Sequence, residues 1–174
     1  MKPFALTLAL ATASTLTACT PTLDWRDVRP EGTGLSVLFP CKPTGTARRL
    51  GLAATTVEMT LWACSTGDVT YAVGFADVGQ PLHVEPALAE LAAAAARNIG
   101  STEPATVAPL RVDGMTPNPR AGRRALFGQL ADGRRVEVQA ALFVHGTRVF
   151  QATMVGARLD TDATDTFFGS LRLQ

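Results

Sequence analysis

The chain is expected to fold as one α+β domain, an antiparallel β-sheet flanked by helices. Three observations carry this expectation. Between Arg123 and Val155, three apolar-rich segments are separated by Asp132-Gly133 and by His145-Gly146-Thr147, the pattern of an antiparallel meander with short turns. Val84 to Ile99 carries apolar residues at helical spacing. Both faces of the meander bear apolar side chains, so helices are expected to cover at least part of each.

Taken in order, Trp25-Arg26-Asp27-Val28 can start a strand, and Arg29 to Gly34 is a turn region. Leu35 to Phe39 is a second short strand ending at Pro40. From Cys41 to Gly51, Pro43, Gly45 and Arg48-Arg49 suggest an exposed connection. Thr55 to Ala63 alternates, with Val57, Met59 and Leu61 on one side. Gly67-Asp68 then turns the chain into Val69 to Ala76, where Val69, Tyr71, Val73 and Phe75 share a face.

In the helix, Leu88, Leu91, Ala95 and Ile99 form the apolar stripe, Pro86 falls in the first turn, and Asn98 with Gly100 supplies the stop. Ser101 to Arg120 contains Pro104, Pro109, Pro117 and Pro119 and is mostly loop, with Leu110-Arg111-Val112 as an edge strand. In the meander, Ala141, Phe143, Phe150, Ala152 and Met154 are assigned to one face. Val136, Val138, Leu142, Val144, Val149 and Val155 take the other. Asp160 to Phe168 starts a terminal helix, and Ser170 to Leu173 is a short apolar ending.

The amino-terminal stretch carries a different message. Lys2, the uncharged run Phe4 to Leu16 and small residues before Cys19 make a secretory signal over residues 1–18. Leu16-Thr17-Ala18-Cys19 resembles a bacterial lipoprotein signal. That resemblance implies cleavage before Cys19, diacylglycerol on its sulfur and acylation of the new amino group, with palmitate as the expected acyl chain. More than one chain is needed for stable attachment. The alternative is an ordinary signal with a cysteine at its cleavage site. Thr20, where an aspartate would favour the inner membrane, implies the periplasmic face of the outer membrane. Residues 19–23 form a short lipidated tether, and 24–174 the single domain. The four residues after Cys19 reach only about 14 Å, so the domain is expected to work close to the bilayer.

Composition narrows the partners. Sixteen basic and 15 acidic residues become balanced once Lys2 is removed with the signal. This gives no general reason to expect nucleic acid. With Cys19 assigned to lipid, Cys41 and Cys64 are left as one candidate disulfide in an exported domain, the alternative being two inert buried thiols.

Candidate chemistry is sparse. His83 and His145 are the only histidines, and neither sits in a metal or nucleophile motif. Asp160, Asp162 and Asp165 could offer oxygens to calcium but are better placed to favour a helix N-terminus. Trp25 and Trp62 are expected to pack at the core or its rim. Arg123, Arg124, Arg134 and Arg135 would form a basic surface patch if the two pairs meet across the meander. No catalytic residue, metal or cofactor is assigned.

From Leu35-Ser36-Val37-Leu38-Phe39-Pro40 to Thr166-Phe167-Phe168-Gly169-Ser170, the ordered pattern resembles the PsbP-like superfamily, nearest to small uncharacterised proteobacterial lipoproteins. The resemblance implies an α/β/α sandwich. Members include photosystem accessory proteins and a nuclear-import factor that binds a small GTPase, so it favours binding or assembly over a shared reaction. The resulting expectation is a lipid-anchored, periplasm-facing module with an envelope protein as partner. A carrier of a small apolar ligand is the alternative, and a hydrolase the remote one.

Overall fold

A computed structural model describes residues 23–174. The expected signal over residues 1–18, Cys19 as the expected lipidation site and residues 20–22 of the expected tether lie outside the described residues. The elements run β1 (Arg26–Val28), β2 (Leu35–Phe39), β3 (Thr44–Leu52), β4 (Thr55–Thr66), β5 (Val69–Asp77), α1 (Pro81–Asn98), β6 (Thr106–Ala108), β7 (Gly122–Gln129), β8 (Arg135–His145), β9 (Arg148–Gly156), α2 (Thr161–Gly169) and β10 (Arg172–Leu173). Among the described residues, seven strands form one sheet in the order β3-β4-β5-β9-β8-β7-β6, and β1-β2-β10 form a second. Neighbouring strands in both sheets are antiparallel. The mixed α/β class and the antiparallel sheet flanked by two helices are thus as expected.

Alternation in β8 and β9 divides the core as the sequence proposed. On one face, Ala141, Phe143, Phe150, Ala152 and Met154 pack with Leu35, Val37 and Phe39 of β2 and with Phe167 and Phe168 of α2. Phe143 and Phe150 stack with ring centroids 4.9 Å apart, while Phe167 meets Phe39 and Tyr71 edge-on at 5.6 and 5.4 Å. On the other face, Leu142, Val144 and Val149 pack against Val84, Ala87, Leu88 and Leu91 of α1. Further along the helix, Ala95 and Ile99 meet Leu126, Val136 and Val138. The helix therefore crosses its face of the sheet obliquely. It leaves the β3–β4 side less covered, and that is where the candidate site lies.

The helix begins three residues earlier than its apolar pattern suggested. Pro81 occupies its first turn, where a fixed φ and a missing N–H are tolerated. Pro86 consequently lies past the first turn, and its missing N–H removes one intrahelical bond. The end is a Schellman arrangement. Gly100 has φ +55°, its N–H donates to the Arg97 carbonyl at 3.1 Å, and the Ser101 N–H donates to the Ala96 carbonyl at 3.0 Å.

Two segments depart from expectation. Residues 44–52, read as part of an exposed connection, form edge strand β3, paired residue for residue with β4. Eight of its nine residues are exposed, so no buried face left an apolar alternation to read. Leu110-Arg111-Val112 forms no strand; the pairing with β7 is made by Thr106–Ala108 instead. The apolar character of Val112 reflects burial in the core, at 2 % exposure, rather than pairing.

Asp77, at the end of β5, ties the β5 exit to the turn entering β9. Its Oδ1 accepts from Thr147 Oγ1 at 2.7 Å and from the Gly79 N–H at 2.8 Å. The Thr147 bond, then the Gly79 bond, hold its carboxyl below the usual value of 3.8. A lowered folded-state pKa stabilises the fold above the unfolded value, and that contribution is lost as pH falls through the folded value. Asp77→Asn is therefore expected to lower the urea midpoint at neutral pH, with the gap to wild type closing in acid below 3.8. A gap of equal size at both pH values would refute the linkage.

Candidate functional site

Cys41 and Cys64 form a disulfide with Cα atoms 6.0 Å apart. It joins the chain just before β3 to the far part of β4, stapling the end of the β2 region to the hairpin as expected. Next to it, the Trp62 ring lies across Gly45. A Cβ at position 45 would stand 3.0 Å from that ring, so glycine is what allows the indole to lie flat on the start of β3. Trp25 packs edge-on against Tyr71 at 6.3 Å. Both tryptophans are rim packing residues of the core.

Pairing of β3 with β4 sets Thr46 beside Leu61, Arg48 beside Met59 and Leu50 beside Val57. Side chains two apart on a strand share a face, so these residues converge on the side of the sheet that carries α1. Thr46, Arg48, Leu50, Met59 and Leu61 line a shallow groove of about 270 Å³. Leu50 and Leu61 remain 38 % and 42 % exposed there. Gly74 on β5 lies in the same neighbourhood, where an added Cβ would touch Leu61 and Met59. Beside the groove runs the free edge of β3, where every second residue turns its N–H and C=O away from β4. Lys42, Arg48 and Arg49 make this edge basic; Glu58, paired with Arg49, is the acid set against it.

A second hollow, of about 610 Å³, opens at the end of the sheet where β7 leaves and β8 enters. Phe127, Glu103, Glu137, Arg135 and Arg158 are among its lining residues. Two cations and two carboxylates balance there, and Phe127 is 58 % exposed. It is an open, polar cleft rather than an enclosed apolar cavity.

The arginine pairs do not converge. Arg123 is paired with Ala141 and Arg135 lies opposite Gln129, which puts them at opposite ends of β7, about 20 Å apart by strand rise. Arg123 sits over the Phe168 ring at 4.6 Å and within 3.8 Å of Asp165, so it braces α2 against the sheet. Arg124, on the opposite face, donates to the carbonyls of Gly122 at 3.3 Å and Arg120 at 3.1 Å. Burial, then the nearby charge of Arg120, lowers its pKa. Arg134 pairs with Asp132 at 2.7 Å. A single patch from Arg123, Arg124, Arg134 and Arg135 does not form because adjacent strand residues point to opposite faces and the two pairs lie at opposite strand ends.

The remaining candidates have structural partners. Asp160 caps α2, its Oδ1 accepting from the Ala163 N–H at 2.8 Å. His83 lies inside the first turn of α1 rather than before it, with Nδ1 3.2 Å from the Val78 carbonyl. His145 ends β8, with Nδ1 2.8 Å from the Gly114 carbonyl. Among the described residues, no group of three or more His, Cys, Asp and Glu side chains is placed to hold a metal. Tyr71 is buried in the phenylalanine cluster, and that burial, aided by the charge of Asp160, raises its pKa.

Reading the sequence as a connection missed the β3 groove. Its one trace in the sequence is the pair Leu50 and Leu52 at the end of the segment, too short to set a strand period by itself. Neither the family models nor the curated proteins contain a match to this chain.

Proposed function

We propose that the chain is a lipid-anchored binding or assembly module that faces the periplasm from an envelope membrane, the outer membrane by the residue after Cys19. Its architecture is proposed to be the PsbP-like α/β/α sandwich, with β1, β2, β10 and α2 over one face and α1 over the other. The observation that carries the binding reading is the long open edge of β3 beside the groove of Leu50, Met59 and Leu61. Most other large apolar side chains of the two faces are packed against partners. Val107 and Phe127 at the opposite side of the sheet are also exposed, but there the edge strand β6 has only three residues and Phe127 lines a charged, polar cleft. An exposed strand edge is a template for pairing with another chain, and an apolar groove alongside gives such pairing side-chain selectivity. Both hollows are open to solvent, which favours a protein partner over an engulfed apolar ligand.

The test is in-cell crosslinking of the full-length chain, followed by mass spectrometry of the captured products. Reproducible crosslinks to an envelope protein are expected. Capture of lipid-like molecules alone, with no protein, would turn the reading to a carrier. Globomycin treatment is expected to leave unprocessed precursor; normal processing in its presence would remove the anchor from the proposal.

A further inference from the structure

The chemistry of the β3 edge specifies its occupant. Natural proteins blunt exposed edges with charges, bulges, prolines or short strands. The opposite edge of the large sheet follows this pattern, since β6 has three residues. By contrast, β3 has nine residues and no proline. Its protection is electrostatic: Arg48 and Arg49 sit at its middle, and Lys42 precedes it. Arg49 faces Glu58 across the β3–β4 pair, whereas Arg48 faces Met59 and has no acidic neighbour in the register. Neither arginine is in an ion pair among the described residues.

That pattern discriminates between occupants. A second copy docked edge to edge about a two-fold axis would set Arg48 against its own counterpart near the centre of the interface. Like charges directly opposite destabilise a strand pair. A strand carrying an acidic residue at that point instead pairs with Arg48. Its neighbours two residues away on the same face would lie opposite Thr46 and Leu50, which form the β3 wall of the groove.

We propose that β3 accepts an extended segment of an envelope protein as a further strand, selecting apolar, acidic and apolar side chains at alternate positions. Main-chain bonds along the open edge supply affinity, Arg48 reads the acidic residue, and Thr46 and Leu50, on the β3 wall of the groove, meet its two apolar flanks. This inference rests on the binding-module reading and names the partner chemistry at its site. A lipid headgroup layer would use the cations but neither the strand edge nor the alternation.

The experiment uses the full chain in detergent and two synthetic peptides of the length of β3. One has glutamate at its centre, valine two residues to either side and threonine elsewhere; the other replaces the glutamate with lysine. Hydrogen exchange is expected to show protection of alternate β3 amides with the glutamate peptide, which binds roughly fivefold more tightly than the lysine peptide, as one exposed charge pair permits. Arg48→Glu is expected to reverse that preference, while Arg49→Glu, on the other face and beside Glu58, leaves it in place. Retained exchange protection in the rest of the sheet checks that both variants fold.

Equal binding of the two peptides, or protection confined to another surface, would overturn the inference. So would concentration-dependent protection of β3 without peptide, which marks a second copy as the occupant, or the same protection from anionic phosphatidylglycerol vesicles alone. Crosslinks in cells that map to another face, together with a silent β3, would remove this inference and leave the binding-module reading standing. A chain that captures no protein at all removes both.

Discussion

Phe167→Ala is expected to destabilise the fold by about 3–5 kcal/mol, the range for truncating a fully enclosed aromatic side chain. Phe167 is at 0 % exposure. It contacts three other rings edge-on: Phe39 of β2, Tyr71 of β5 and its own neighbour Phe168. The cost has two parts, the lost transfer of the ring from water and the cavity left among groups that cannot all collapse into it. Collapse is restricted here because the surrounding rings belong to the small sheet, the large sheet and α2. Phe127→Ala is the control. Its ring is 58 % exposed, and a shift within about 0.5 kcal/mol is expected. Urea unfolding of both variants, with equal slopes, would read the difference directly. A Phe167 variant no less stable than the Phe127 variant would mean that the ring cluster does not hold the two sheets together.

How much of this was legible beforehand differs from element to element, for a physical reason in each case. The meander was legible because β8 and β9 are buried on both faces yet still sort by alternation, with Phe143 and Ala141 on one face and Leu142 and Val144 on the other. The acidic residue before α2 was legible because a cap is a local device, set by Asp160 and the Ala163 N–H alone. The start of α1 was hidden because its first turn contributes little to the apolar stripe, Leu82 being 67 % exposed. Strand β3 was hidden for a related reason. A strand exposed on both faces carries no period to detect, and its existence depends on a register with β4 that local composition does not state.

The candidate site inherited that blindness. Leu50, Met59 and Leu61 become one groove only when the hairpin brings them together. The arginine pairs misled in the opposite sense. Adjacent in sequence, Arg123 and Arg124 look like one cluster, but the pleat sends one to the Phe168 ring and the other to the carbonyls of Gly122 and Arg120. Strand geometry separates neighbours and joins residues that are far apart. The disulfide pairing, by contrast, followed from counting: with Cys19 set aside there was one pair to make, and it is made.

That bond is where stability and the proposed edge meet. Replacing both cysteines by alanine is expected to cost about 3 kcal/mol, the loop-closure estimate for a sequence separation of 23. The effect should not be spread evenly. Thr44 pairs with Ala63, immediately beside Cys64, and Cys41 lies just ahead of β3. The bridge therefore clamps the entry of a strand that has neighbours on one side only. Without it, the Thr44-to-Thr46 end of β3 loses its covalent hold, leaving the β4 pairing and the Trp62 ring over Gly45 to keep it in place. Hydrogen exchange of the double variant is expected to rise most at this end of the edge, and least in β8 and β9 at the sheet centre. Chemical reduction of the wild type should reproduce both the stability loss and the local pattern. An unchanged urea midpoint in the double variant would show that the clamp adds nothing to the fold. Uniform acceleration of exchange across the sheet would show that it stabilises the domain without organising the edge, and the disulfide would then have no special connection to what β3 binds.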